Sequence, residues 1–170
     1  MIRVAILTMS DKGSRGERED KTGHVLREYI ETKENYKVKY YRMLPDDYSS
    51  IVRELELIAD ADMADLIITN GGTGFSTRDV TPEATTTACE RMAPGVAEYM
   101  RMKSLEITPK AMLSRGVCGI RKGTLIVNLP GSPKGALENL SFVIDTLVHG
   151  IEILKGSASE CAEPMTQPIK

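Results

Sequence analysis

The chain has 170 residues, 41% of them hydrophobic and 27% charged, with a formal net charge of −2. That is the size and balance of one globular domain with one sizeable core, and the charge offers no strong positive field for nucleic acid. No apolar run approaches the roughly 20 residues needed to cross a bilayer, and the N-terminus lacks a signal-peptide pattern, so a soluble, cytoplasmic protein without membrane or nucleic-acid partners is expected.

Ile2 to Met9 (IRVAILTM) is an apolar run rich in β-formers. It predicts a strand buried on both faces, as in a parallel sheet. Ser10-Asp11-Lys12-Gly13 breaks it. From Thr22, which suits a helix cap, apolar positions Val25, Leu26, Tyr29 and Ile30 follow helical spacing. Lys37 to Leu44 predicts a second strand, ended by Pro45-Asp46. Ile51, Val52, Leu55, Ile58 and Ala59 mark one face of a second helix. Asp65 to Asn70 predicts a third strand, followed by a glycine-rich turn and a helix opening at Thr81-Pro82, with Thr81 as the expected cap. Another helical stretch surrounds Val96, Met100 and Leu105. Thr124 to Leu129 predicts a last buried strand. A helix over about 136–148 and a short one over 151–154 follow. Residues 157–170 hold two prolines and few apolar residues and are expected to be loosely held. The alternation argues for an α/β fold of three layers, α/β/α, with a mainly parallel sheet in one domain over residues 1–156.

In open α/β sheets, ligands bind beyond the carboxyl ends of the strands. Four such ends carry unusual residues: Ser10-Asp11, Pro45-Asp46, Gly71-Gly72-Thr73-Gly74 and Pro130-Gly131-Ser132. The glycine loop offers amides unobstructed by side chains and fits either an anion cradle or a tight turn without a ligand. Arg78 suits phosphate oxygens. Asp79 and Asp46 suit Mg2+, which is held by one or two carboxylates together with substrate phosphates. Asp79 equally fits a charge near a helix N-terminus, and Asp46 a turn residue. Ser132 with Pro133 fits a helix cap, and with Lys134 a second anion site. Cys89, Cys118 and Cys161 form no CxxC pair, so reduced thiols are expected. His24 and His149 have no Cys or His neighbour at ligand spacing in the sequence and fit structural or solvated roles.

Thr69-Asn70-Gly71-Gly72-Thr73-Gly74, followed by Arg78-Asp79-Val80-Thr81-Pro82-Glu83-Ala84-Thr85, resembles the signature of the molybdopterin adenylyltransferases. That family includes MogA-type bacterial proteins and the G domain of gephyrin. Ile107-Thr108-Pro109, Met112-Leu113-Ser114-Arg115, Cys118-Gly119-Ile120-Arg121 and Leu125-Ile126-Val127-Asn128-Leu129-Pro130-Gly131-Ser132 extend the resemblance, as do Leu7-Thr8-Met9-Ser10-Asp11 and Asp20-Lys21-Thr22-Gly23. It implies Mg2+-dependent transfer of AMP from ATP to molybdopterin with release of pyrophosphate. It also implies a homotrimer and a separate molybdate-inserting protein. The matching essential carboxylates are Asp46 and Asp79, as catalytic and metal-holding groups. Ser10, Asp11, Gly71, Gly72, Thr73, Gly74, Arg78, Ser114, Arg115, Pro130, Gly131, Ser132 and Lys134 fall in substrate-binding blocks. Asn70 stands where threonine is frequent, and Gly116 where proline is common. A pterin carrier with little catalysis and a trimeric scaffold are the competing readings.

Overall fold

The computed structural model describes residues 1–156. The expected loose tail over 157–170, with Cys161, lies outside them. Six strands form one sheet in the order β2-β1-β3-β6-β5-β4: β1 (Ile2–Met9), β2 (Tyr36–Leu44), β3 (Leu66–Asn70), β4 (Arg91–Met92), β5 (Cys118–Arg121) and β6 (Thr124–Leu129). The first four strands in that order run parallel; β5 and β4 are antiparallel additions at one edge. The α/β architecture and the boundaries of β1 and β6 follow the sequence reading.

The two faces separate by strand period. Val4, Ile6, Leu66, Ile68, Leu125 and Val127 face a core completed by α2 (Lys21–Glu31), α5 (Pro94–Leu105) and α6 (Pro133–Leu154). Their alternate neighbours Ala5, Leu7, Ile67 and Ile126 face α3 (Tyr48–Asp60) and α4 (Thr81–Ala88). Successive side chains of a strand point to opposite faces, so a central strand between two helical layers must be apolar throughout. That is why β1, β3 and β6 read as unbroken apolar runs.

Several expectations need correction. Asp20, not Thr22, caps α2: its Oδ1 accepts from the Gly23 amide at 2.8 Å, while Thr22 donates to the Gly131 carbonyl at 2.8 Å. Thr81 is the first helical residue of α4 rather than its cap, and Val80 precedes it without a side-chain cap bond. The two predicted C-terminal helices are one, because Ile151 continues the buried stripe of Leu140, Ile144 and Leu147 straight past Gly150. A four-residue helix α1 (Asp11–Ser14) and strands β4 and β5 were not expected.

Just before β3, at the end of the sheet opposite the strand-end loops singled out above, Asp65 ties three elements together. It is 2% exposed. Its carboxylate accepts from the Arg3 amide at 2.7 Å, the Arg3 guanidinium at 2.8 Å and Lys155 Nζ at 2.9 Å. Burial pushes its pKa up, but these hydrogen bonds outweigh burial and hold it at about 2. A carboxyl held below its unfolded value of about 3.9 stabilises the fold above that pH and loses the contribution as pH falls towards 2. Asp65→Asn should therefore lower stability by about 1–3 kcal/mol at pH 7. Urea unfolding should show the gap to wild type narrowing from pH 5 to pH 2.5; a gap independent of pH would contradict this.

Candidate active site

The chain leaves β1 towards β2 and returns across β1 to β3, so β1 and β3 bound a topological switch point. Loops leaving such neighbouring strands diverge and open a crevice. A cleft of about 710 Å³ lies there. Its walls include Ser10 after β1, Asp46 after β2, Gly71 and Gly72 after β3, and Gly131 and Ser132 after β6, with Asp79 from the extended glycine loop. All four strand ends singled out from the sequence thus meet at one site. A second cleft of about 310 Å³ adjoins it and contains Thr73, Gly74, Ser114 and Pro130. Ser132 lines both.

The glycine loop has the geometry of an anion cradle. Gly71 and Gly72 adopt φ of +93° and +65°, the left-handed region that glycine enters at little cost. A Cβ on Gly71 would lie 2.5 Å from the Met9 carbonyl oxygen, and one on Gly72 2.3 Å from Thr81 Oγ1. The Gly71 amide donates to the Leu129 carbonyl, whereas the amides of Gly72, Thr73 and Gly74 donate to no acceptor among the described residues. Successive free amides of this kind suit an oxyanion. Opposite them, Ser132 caps α6, accepting from the Gly135 amide at 3.2 Å. Its hydroxyl hydrogen and the positive end of a 22-residue helix both serve an anion.

Asp46 and Asp79 close on this loop from two sides. Asp46 Oδ1 lies 3.2 Å from the position of a Gly72 Cβ, and Asp79 Oδ2 lies 2.9 Å from that of a Gly74 Cβ. Asp79 also accepts from the Ser76 amide at 3.0 Å. Asp46 and Asp11 exchange amide-to-carboxylate hydrogen bonds, both 3.0 Å long, which lock the β1 and β2 exits together. Burial raises the Asp46 pKa, and the carboxylates of Asp11 and Asp79 push the same way, against the Asp11 amide and Arg78. Excess negative charge in a half-buried site is relieved by a cation. Among the described residues no three His, Cys, Asp or Glu side chains group as a metal cage. Two carboxylates beside free loop amides fit Mg2+ nonetheless, because that ion takes the rest of its shell from phosphates and water.

Other expected site residues serve the walls. Arg78 holds Asp11 in a two-pronged ion pair of 3.0 and 2.9 Å, and its guanidinium pulls the Asp11 pKa down. Arg115 turns its guanidinium onto the loop itself: Nε donates to the Gly74 carbonyl and Nη2 to the Asp79 carbonyl, both at 2.7 Å, and Nη1 pairs with Glu83. Its amide donates to the Thr73 carbonyl at 2.9 Å. Lys134 is 81% exposed, with Glu138 at 3.8 Å, and lines neither cleft.

The sequence reading missed the floor of the large cleft. Thr8 donates to Asp20 Oδ2 at 2.5 Å, Tyr41 donates to the same oxygen, and Asn70 Nδ2 donates to Thr8 Oγ1 at 2.9 Å. Arg18, Lys21 and Met43 complete that part of the wall. In the smaller cleft, Arg101, Thr108, Lys110 and Asn139 were missed. Thr8, Asp20, Lys21, Asn70 and Thr108 lay within the resembling blocks without being assigned to the site, and Asp20 left a further signal: an acidic residue three positions before Gly23 at the start of a helical pattern.

A mixed α/β sheet whose parallel strand ends carry free glycine-loop amides, a helix N-terminus and paired carboxylates defines a phosphate-handling α/β protein. The chain belongs to the family described as the probable molybdopterin binding domain, whose profile matches residues 5–149. It is 38% identical over 170 residues to a molybdopterin adenylyltransferase of Helicobacter pylori, covering 99% of this chain and 97% of that protein. An Escherichia coli protein of the same name is 39% identical over 155 residues, 88% of this chain and 80% of its own. The crystal structure of the molybdopterin biosynthesis enzyme MoaB from Thermus thermophilus superposes with a TM-score of 0.86 at 51% identity, covering 92% of this chain and 98% of that one.

Proposed function

We propose that this chain is a molybdopterin adenylyltransferase that uses ATP and Mg2+ in molybdenum cofactor biosynthesis. The observation that carries the reading is that Asp46 and Asp79 flank the glycine loop at Gly72 and Gly74 while the amides of Gly72, Thr73 and Gly74 are free among the described residues. ATP occupies the larger cleft, the pterin the smaller one, and the phosphates meet at Ser132, which lines both. An oxygen of the pterin's terminal phosphate attacks the α-phosphorus of ATP. The new P–O bond forms as the bond from the α-phosphorus to the oxygen bridging to the β-phosphorus breaks, and that electron pair leaves with pyrophosphate. The loop amides and the Ser132 hydroxyl hold phosphate oxygens in line, which converts an encounter of two anions into a positioned pair. Asp46 and Asp79 would hold Mg2+, which when bound neutralises phosphate charge and stabilises the transition state. Arg115 fixes the loop's carbonyls outward, and Arg78 fixes Asp11 and, through it, Asp46.

The proposal includes a folded unit over 1–156, a homotrimer, a separate molybdate-inserting protein and a cytoplasmic setting. Exposed apolar side chains on α5 and the turn after it, Tyr99, Met102, Leu105, Ile107, Met112 and Leu113, support an assembly surface; sedimentation reads the trimer. No helix among the described residues is long and apolar enough to cross a membrane. The direct assay mixes protein, molybdopterin, ATP and Mg2+ and measures pyrophosphate. Release that requires the pterin supports the reading. Pterin binding without release would favour a carrier.

A further inference from the structure

We propose that Arg18 and Lys21 form a polyphosphate clamp in the wall of the large cleft, which selects a nucleoside triphosphate over a monophosphate. The inference rests on the reading of that cleft as the ATP site. Both side chains line the cleft. Both are exposed and form no ion pair or side-chain hydrogen bond among the described residues, although four carboxylates, Glu19, Asp20, Asp46 and Asp79, line the same cleft. Most other basic residues among those described are paired; Arg3, Arg42, Arg115 and Arg121 each hold a carboxylate. Asp20, next to Lys21, does not pair with it and is engaged elsewhere. Its Oδ2 takes the hydroxyls of Thr8 and Tyr41, and its Oδ1 takes the Gly23 amide.

A second observation concerns the charge of the lining. Arg18 and Lys21 are the only cationic side chains that line the cleft among the described residues. Its floor offers phosphate no donor of that kind: Asn70 Nδ2 is used on Thr8 Oγ1 at 2.9 Å, and Thr8 donates to Asp20 Oδ2 at 2.5 Å. The phosphates are therefore left to the two cationic side chains and the free amides of the glycine loop. The first phosphate belongs at the junction with the smaller cleft, at Ser132. Arg18 and Lys21 then meet the two phosphates that leave as pyrophosphate.

Calorimetric titration of the full chain with Mg2+ tests this, using inorganic pyrophosphate, AMP and an ATP analogue with a methylene in place of the α–β bridging oxygen. Wild type should bind the analogue more tightly than AMP. The double variant Arg18→Met, Lys21→Met should lose about tenfold or more for pyrophosphate and the analogue and change by less than about twofold for AMP, tenfold being 1.4 kcal/mol. Both positions are exposed, so melting temperature should not move. Lys39→Met, an exposed unpaired lysine on β2, is the control and should leave all three affinities unchanged. Equal losses for AMP and the analogue, or no loss for either, would overturn the clamp. Wild type that binds pyrophosphate with this dependence and yet makes no adenylylated pterin would leave the clamp standing and overturn the reaction.

Discussion

Asp79→Asn should lower the rate of adenylyl transfer by on the order of 10²–10³-fold while leaving the melting temperature within a degree or two. Asparagine keeps the size and can still accept the Ser76 amide that Asp79 Oδ2 accepts at 3.0 Å, so the loop keeps its shape. The lost charge is one of two that flank the glycine loop, at Gly72 and Gly74. Removing a ligand of a phosphate-bound cation costs several kcal/mol in the transition state, and each 1.36 kcal/mol is tenfold in rate. Asp46→Asn should act in the same direction. Because its carboxylate also takes the Asp11 amide, the Asp46 variant should weaken nucleotide binding as well as turnover. Steady-state kinetics with varied Mg2+ separates the two: higher Mg2+ should partly restore both variants. An Asp79→Asn enzyme with wild-type turnover would remove that residue from the reaction.

The second large effect is expected at Gly72. An alanine there needs φ of +65°, which costs an L-residue about 1–2 kcal/mol. Its Cβ would also lie 2.3 Å from Thr81 Oγ1 and 3.2 Å from Asp46 Oδ1. Thr81 is fully buried at the start of α4 and cannot swing aside; overpacking of this kind adds about 1–3 kcal/mol. At about 2–4 °C per kcal/mol for a domain of this size, Gly72→Ala should lower the melting temperature by roughly 4–20 °C and abolish nucleotide binding. The double variant Gly72→Ala, Thr81→Ala should recover part of the stability, because the buried Thr81 hydroxyl has no hydrogen-bond partner to lose and its removal makes room. Stability of the double variant no better than that of the single would place the cost in the backbone angle alone.

The parts of this fold that were legible in the sequence are those fixed by local pattern. β1 and β6 are central strands between two helical layers, so their apolar runs have clean ends, and glycine or proline follows each exit. The four strand-end loops could be placed together because parallel strands must end on one side. β5 was missed for a physical reason: Cys118-Gly119-Ile120-Arg121 is short, contains glycine and sits near the sheet edge, so burial does not mark it. Its one signal was the Lys122-Gly123 turn into β6, where Lys122 takes φ of +50°. The cleft floor was hidden because Thr8, Asp20, Tyr41 and Asn70 come from four segments and meet only through the sheet. Arg115 shows the limit of reading roles from residue type: an arginine near a phosphate loop suits either the phosphate or the loop's own carbonyls, and only the geometry places its guanidinium on Gly74 and Asp79.

Transfer of an adenylyl rather than a phosphoryl group onto the pterin phosphate can be read in one reaction of molybdopterin and Mg2+ with ATP labelled separately at the α- and γ-phosphates. The α-label should appear on the pterin and the γ-label in pyrophosphate, in equal amounts. Gamma-label on the pterin, or no label on it while the protein binds both substrates, would contradict it.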